Sequence, residues 1–386
     1  MFKYQIIFLG SITSLKDELI KLFFQKIEEL KLQKDFYKVI DIKTINEYIG
    51  NQPTFVIYFG NQNGSYEDLK IIKVLLDQGN IILPIFYNSF NKEIPEVLSN
   101  QNGIQFLDYK KDKIVDLILE SFGKLRNTRK VFISYKREES TSVAIQLYEA
   151  LEKSNFDVFL DTHSIKGAES FQDELWHRMT DCDVILLLNT KNFLKSEWCE
   201  KEIAEASVKQ IGIVQVVWPN HKLERMAEVC FPHQLSYKNF KNGVFEDKDL
   251  SKLDDDTVNE LVNQVESMRA RNLASRQDSL ITDFLNSARK HKKIVTIQPE
   301  RFITEELAEN KRRIFIPSVG IPQSFDCNTS SELKKEIKEY SVEEVYLIYD
   351  DVRIREKWIK HLNYLNEYLD VKTIKKQEFD LWLKEN

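Results

Sequence analysis

The sequence predicts an α/β protein in which parallel sheets carry helices on both faces, arranged as three successive alternating sets. Two observations predict it. Short apolar runs bounded by polar loops recur along the chain, as at Tyr4–Leu9, Phe55–Phe59, Val131–Ser134 and Val184–Leu188, and continuous rather than alternating apolarity marks a strand buried on both faces. Between these runs lie segments whose apolar residues return at helical spacing, joined by short loops.

In the first set, Tyr4–Leu9 reads as a buried strand. Leu15–Leu32 reads as a helix through Leu19, Leu22, Phe23, Ile27 and Leu30. A strand follows at Phe55–Phe59, a helix at Asp68–Asp77 and a strand at Asn80–Phe86. A helix over Ile114–Phe122 closes the set, with Gly123 just past its end. The second set is clearer. Strands are expected at Val131–Ser134, Asp157–Leu160, Val184–Leu188 and Ile213–Val217, and helices at Ser142–Ser154, Phe171–Thr180 and Glu197–Val208. The two sets share an echo, since IILPIFYN from Ile81 resembles GIVQVVWPN from Gly212. Asp254–His291 reads as a long or broken helix. The third set has candidate strands at Ile294–Ile297, Ile314–Pro317, Val345–Tyr349 and Val371–Ile374, with helices at Ser331–Tyr340 and Ile354–Tyr368. The domains expected are therefore 1–126, 127–255, a helical connector over 256–292 and a small α/β domain over 293–386.

Bulk properties narrow the function classes. The 386 residues carry a net charge of −6, which disfavours broad nucleic-acid binding. The local basic runs at Lys290, Lys292 and Lys293 and at Lys311, Arg312 and Arg313 read as solvated surface. Cys182, Cys199, Cys230 and Cys327 form no CxxC and the six His are scattered, so no metal site is expected. Isolated thiols suit a reducing, cytoplasmic compartment. The apolar run near the start reads as a strand rather than a signal peptide, and no run approaches the 18 residues or so of a membrane span.

Open α/β sheets bind ligands at the carboxyl ends of their strands. In the second set those ends hold Tyr135, Lys136 and Arg137, the loop from Asp161 to Ser170, Asn189 and Thr190, and Trp218. A wheel at about 100° per residue places Trp198, Cys199, Ile203 and Ala206 on one apolar arc. Glu202 falls inside that arc, where a carboxylate is costly without a partner or a task. Cations, aromatics and a carboxylate on one edge suit a ligand with phosphates, a ring and a sugar. Neither GxGxxG nor GxxxxGK[ST] occurs, so side chains and helix N-termini would hold the phosphates. Plainer readings stand beside these: a solvated loop cation for Arg137, edge packing for Trp218, turn residues for Asp161 and Lys166, a buried hydrophobe for Cys199, and a carboxylate reaching solvent for Glu202.

VFISYKREES from Val131, LDTHSIKGAESF from Leu160 and SEWCEKEI from Ser196 together resemble the TIR (Toll/interleukin-1 receptor homology) domain, over about Lys130–His221 and in its bacterial form. The resemblance implies a flavodoxin-like central domain flanked by two further α/β units, the first of them a degenerate TIR-like fold. It also implies cleavage of NAD+ between nicotinamide and ribose, with NAD+ as substrate and no cofactor. Glu202 matches the family's catalytic Glu, and Trp198 stands with it in the same motif. Tyr135, Lys136 and Arg137 match first-box positions near the nucleotide, and Trp218 an aromatic near nicotinamide. Asn189 stands where many members have Ser, and Asp161 opens the loop after the second strand, which lacks the Pro of receptor-type members. Such proteins assemble through TIR–TIR contacts and serve in phage defence, so a homo-oligomer and a phage-derived or nucleotide trigger are expected, without a membrane or nucleic-acid partner. The alternatives are a non-catalytic scaffold and a nucleotide sensor.

Overall fold

The computed structural model describes every residue except 1–3, 51, 127, 161–176, 194–210, 222–230 and 308–309. The chain divides into two units, Met1–Asn127 and Thr128–Asn386.

In the first unit the strands are β1 (Tyr4–Gly10), β2 (Tyr37–Asp41), β3 (Thr54–Phe59), β4 (Ile81–Phe86) and β5 (Ile104–Gln105). The helices are α1 (Leu15–Glu29), α2 (Leu69–Asp77), the single turn α3 (Phe90–Glu93) and α4 (Lys111–Ser121). All strand pairs are parallel, in the order β2-β1-β3-β4-β5. Strand β2 was not expected from the sequence; only Tyr37 and Ile40 of its five residues are buried, so its apolar pattern is weak. One face of the sheet buries Ile7, Leu9, Val56 and Tyr58 against Ile72 and Leu75 of α2. Gly123 follows α4 at φ +65°, the left-handed conformation expected past a helix end.

The second unit opens with β6 (Lys130–Ser134), α5 (Arg137–Lys153), β7 (Asp157–Leu160), β8 (Val184–Asn189), β9 (Gly212–Val217) and β10 (Phe231–Gln234). The order is β10-β9-β8-β6-β7, again with every pair parallel. This is the same strand order as in the first unit: β1 corresponds to β6 and β4 to β9. The sequence echo between Ile81 and Gly212 therefore falls on equivalent strands. The expected helix over Glu197–Val208 lies outside the described residues.

Helix α6 (Asp255–Lys290) runs unbroken for 36 residues. Its Asp254 cap accepts from the Thr257 amide at 2.8 Å, and acidic and basic residues sit at the ends that its dipole favours. Val258, Leu261 and Val265 complete the core over β6, β8 and β9. Leu280, Ile281, Phe284 and Ala288 enter a second core, formed with the last sheet. Where α6 crosses β9, Asn272 lies so close to Gly212 that a Cβ there would stand 1.6 Å from the amide nitrogen.

The last sheet comprises β11 (Val295–Ile297), β12 (Ile303–Glu306), β13 (Lys311–Ser318), β14 (Ser341–Tyr349) and β15 (Val371–Lys375), in that order. Helices α7 (Ser324–Glu336), α8 (Glu356–Tyr368) and α9 (Phe379–Glu385) accompany it. The β11–β12 and β12–β13 pairs are antiparallel, and the remaining pairs are parallel. Two expectations needed correction here. Strand β12 was missed because ITEE alternates too briefly to stand out. Helix α7 begins at Ser324, earlier than expected, because Gln323 and Asp326 form a capping box.

Candidate active site

In the second unit the strand order reverses direction between β6 and β8, and the loops leaving their carboxyl ends diverge there. That is where sheets of this kind hold ligands. The β6 loop runs from Tyr135 into the first turn of α5, and the β8 loop runs from Asn189 to Phe193.

A carboxylate ties these two loops together. Glu139 accepts from the Asn192 side-chain amide at 2.7 Å and from the Asn192 backbone amide at 3.2 Å. Lys136 Nζ lies 3.5 Å from Glu139 and donates to the Asn192 carbonyl at 3.4 Å. Burial would raise the Glu139 pKa, but the Thr190 hydroxyl, the Asn192 hydrogen bonds and the Lys136 charge hold it below the usual carboxylate range. Helix α5 leaves ideal geometry at Ser140 (φ −145°, ψ 24°), directly after this clasp. Lys136 is half-buried and Arg137 exposed, so both cations stand at the strand-end edge.

Asn189 is fully buried at the end of β8. Its Oδ1 lies 3.1 Å from His221 Nε2, and its carbonyl accepts from the Trp218 amide at 3.0 Å. Its Nδ2 has no hydrogen-bond partner among the described residues. Gln215, also fully buried, has neither amide atom paired among the described residues. Ser134, Leu187 and Gln215 lie in one row across β6, β8 and β9, and strand periodicity sets Asn189 on the same face. Unpaired buried amides are costly, and they recur where water or a ligand completes them. Sequence reasoning passed over Gln215, Glu139 and His221. The signal for Gln215 was available: it is the lone polar residue inside IGIVQVVW.

The sequence-predicted set separates as follows. Tyr135 is buried in the core beneath the β6 loop, and Lys136, Arg137 and Asn189 gather at the strand-end edge. Trp218 packs in the same core: its indole N–H donates to the Phe245 carbonyl at 2.9 Å, and its ring meets Phe240 edge-on at 5.4 Å. Asp161, Trp198 and Glu202 lie outside the described residues. Among the described residues, no cluster of His, Cys, Asp and Glu could hold a metal ion, and no helix is long and apolar enough to cross a membrane.

A five-stranded all-parallel sheet in this order is a doubly wound α/β fold. Residues 131–256 match the sequence model of the TIR domain family, and this part of the chain is a TIR domain. The 2' cyclic ADP-D-ribose synthase BtTIR of Bacteroides thetaiotaomicron is 23% identical over 108 residues, which are 28% of this chain. The match spans only 38% of that protein's length. A crystal structure from Bacteroides fragilis, of a protein classed as a LacI transcriptional regulator, aligns at 10% identity and a TM-score of 0.19, covering 58% of this chain and 80% of that one. A score that low supports no conclusion about fold or function.

Proposed function

We propose that the TIR domain cleaves NAD+ at the bond between nicotinamide and ribose. The observation that carries this reading is the relative named as a 2' cyclic ADP-D-ribose synthase, taken with a TIR domain whose strand-end edge holds Lys136, Arg137 and the buried Asn189. The nicotinamide nitrogen is already positively charged, so the bonding pair leaves with it as a neutral pyridine and no general acid is needed. The ribose passes through an oxocarbenium-like transition state, as in glycoside hydrolysis. Glu202 is the carboxylate assigned to stabilise that charge, on its sequence motif and its place in the apolar arc. Attack by water releases ADP-ribose and a proton; attack by one of the substrate's own nucleophiles closes a ring. Lys136 and Arg137 are assigned to the phosphates.

The wider proposal is a cytoplasmic enzyme of phage defence that works as a homo-oligomer. Assembly through TIR–TIR contacts, promoted by a phage-derived or nucleotide trigger, is part of this proposal. Incubating the concentrated chain with NAD+ and separating the products by chromatography tests the chemistry. Appearance of nicotinamide with linear or cyclic ADP-ribose is the expected result. Intact NAD+ in every assembled state would replace the enzyme with a TIR scaffold.

A further inference from the structure

The first unit carries a cavity of about 460 Å³ at the carboxyl ends of its own strands, within the range of ~300–1,000 Å³ usual for small-molecule sites. It lies where the order of strands reverses between β1 and β3, the position at which such sheets bind ligands. Its walls come from Ser11–Leu15 after β1, Gly60–Gln62 after β3, and Tyr87 and Phe106 after β4 and β5.

These walls are held in place before any ligand arrives. Asn61 donates to Ser11 Oγ at 2.7 Å and accepts from the Asn63 amide at 2.8 Å, joining the β1 and β3 loops. The buried Glu93 carboxylate accepts from the amides of Tyr87, Asn88 and Ser89 at 2.7–2.8 Å and fixes the loop that presents Tyr87. Tyr87 and Phe106 meet edge-to-face at 5.9 Å and make an aromatic wall. The Tyr87 hydroxyl is buried and has no hydrogen-bond partner among the described residues.

The charge of the lining selects the ligand. Among the described residues no Lys or Arg lines the cavity, whereas Glu18 and Asp108 do. Lys111 bridges both carboxylates, to Glu18 and to Asp108 at 3.2 Å, and is thereby committed to them. A bare phosphate would meet two carboxylates and no uncommitted side-chain cation. A neutral ligand with a planar ring and several hydroxyls fits better: the ring lies against Tyr87 and Phe106, and the hydroxyls meet Thr13, Ser14, Asn61 and Gln62. We infer that the first unit binds a nucleoside moiety in this cavity, as a site separate from that of the TIR domain. The inference stands whether or not the TIR domain cleaves NAD+.

Isothermal titration of the full chain with adenosine, uridine, ribose 5-phosphate and inorganic phosphate tests it. Adenosine or uridine should bind saturably, and the two phosphates alone should not. Ser14 forms no side-chain cap to α1, so Ser14→Trp fills the cavity without removing one and should weaken nucleoside binding at least 10-fold. Phe106→Ala should weaken it several-fold. In the unmodified chain, hydrogen exchange should slow at Ser11–Leu15 and Asn61–Gln62 when nucleoside is added. The inference is overturned by an absence of nucleoside binding up to millimolar concentration, by unaltered binding in Ser14→Trp, or by tighter binding of inorganic phosphate than of either nucleoside.

Discussion

Arg269 of α6 donates its Nε to Asp183 Oδ2 at 2.8 Å, and both side chains are fully buried. Asp183 begins the turn into β8, so the central strand of the TIR sheet is pinned to the helix that also carries the last sheet. Around this pair, Arg276 donates to the carbonyls of Cys182 and Thr180 at 2.7 and 2.6 Å, and Arg129 pairs with Glu266. Asp181 accepts from the Ile321 amide at 2.9 Å, and His177 stacks on Trp358 at 5.6 Å. The two sheets of the second unit thus share polar as well as apolar contacts.

Removing one partner of a buried ion pair strands the other charge. Arg269→Leu should therefore destabilise the second unit by about 3–5 kcal/mol. Pairing it with Asp183→Asn should recover a large part of that loss, because the stranded carboxylate is gone. Urea unfolding of the two single variants and the double variant measures the coupling; additive losses would show that the pair acts as two independent sites.

His233 of β10 lies with Nδ1 2.8 Å from Gln264 of α6. Burial pushes its pKa below the ordinary 6.5, against smaller upward pulls from Glu260 and Gln264. The fold therefore favours the neutral ring, and below the ordinary value the unfolded chain binds more protons than the folded one. Stability should be level above that value and decline as the pH falls through it toward the folded pKa. His233→Gln should flatten this decline, as read from urea midpoints at about pH 7.5 and 5.5. An unchanged slope would assign the acid sensitivity to other groups.

Among the described residues, nothing pairs with the two buried polar atoms of Gln215 in the middle of β9. Gln215→Leu keeps the approximate size and removes the unmet hydrogen-bonding groups, so it should stabilise the TIR domain by ~1–3 kcal/mol. If the amide is retained for substrate, NAD+ cleavage should fall at least tenfold in the same variant. A gain in stability with full activity would separate Gln215 from the site.

Glu202→Gln keeps the reach of the side chain and removes its charge. The expected cost is about 3–4 kcal/mol in transition-state stabilisation, or roughly 10²–10³ in rate. Binding of NAD+ should change far less, because the ground-state ribose carries little of that charge. Glu200→Gln and Glu205→Gln on the same segment should cost almost nothing. Equal turnover in all three variants and the parent would remove Glu202 from the mechanism.

Much of this architecture was legible in the order of residues. Strands buried on both faces demand uninterrupted apolar runs, so β1, β3, β6, β8 and β9 announce themselves. The loop residues Lys136, Arg137 and Asn189 could be placed at strand ends because a parallel strand sends its chain out at one edge. Short elements left a weaker trace: β2 and β10, at sheet edges, and β12, between two strands, are four or five residues long. Long-range pairing left none. Nothing local distinguishes Arg269 from the other arginines of VESMRARNLASR, since its worth depends on a carboxylate 86 residues away in sequence. Trp218 shows the same limit: a strand-end Trp can face a ligand or the core, and the Phe245 carbonyl and the Phe240 ring settle its packing. Periodicity records which face of an element turns inward. What it meets there is set by folding, because burial gives a charge or an amide its energetic weight only once the neighbours that pair with it, or fail to, are in place.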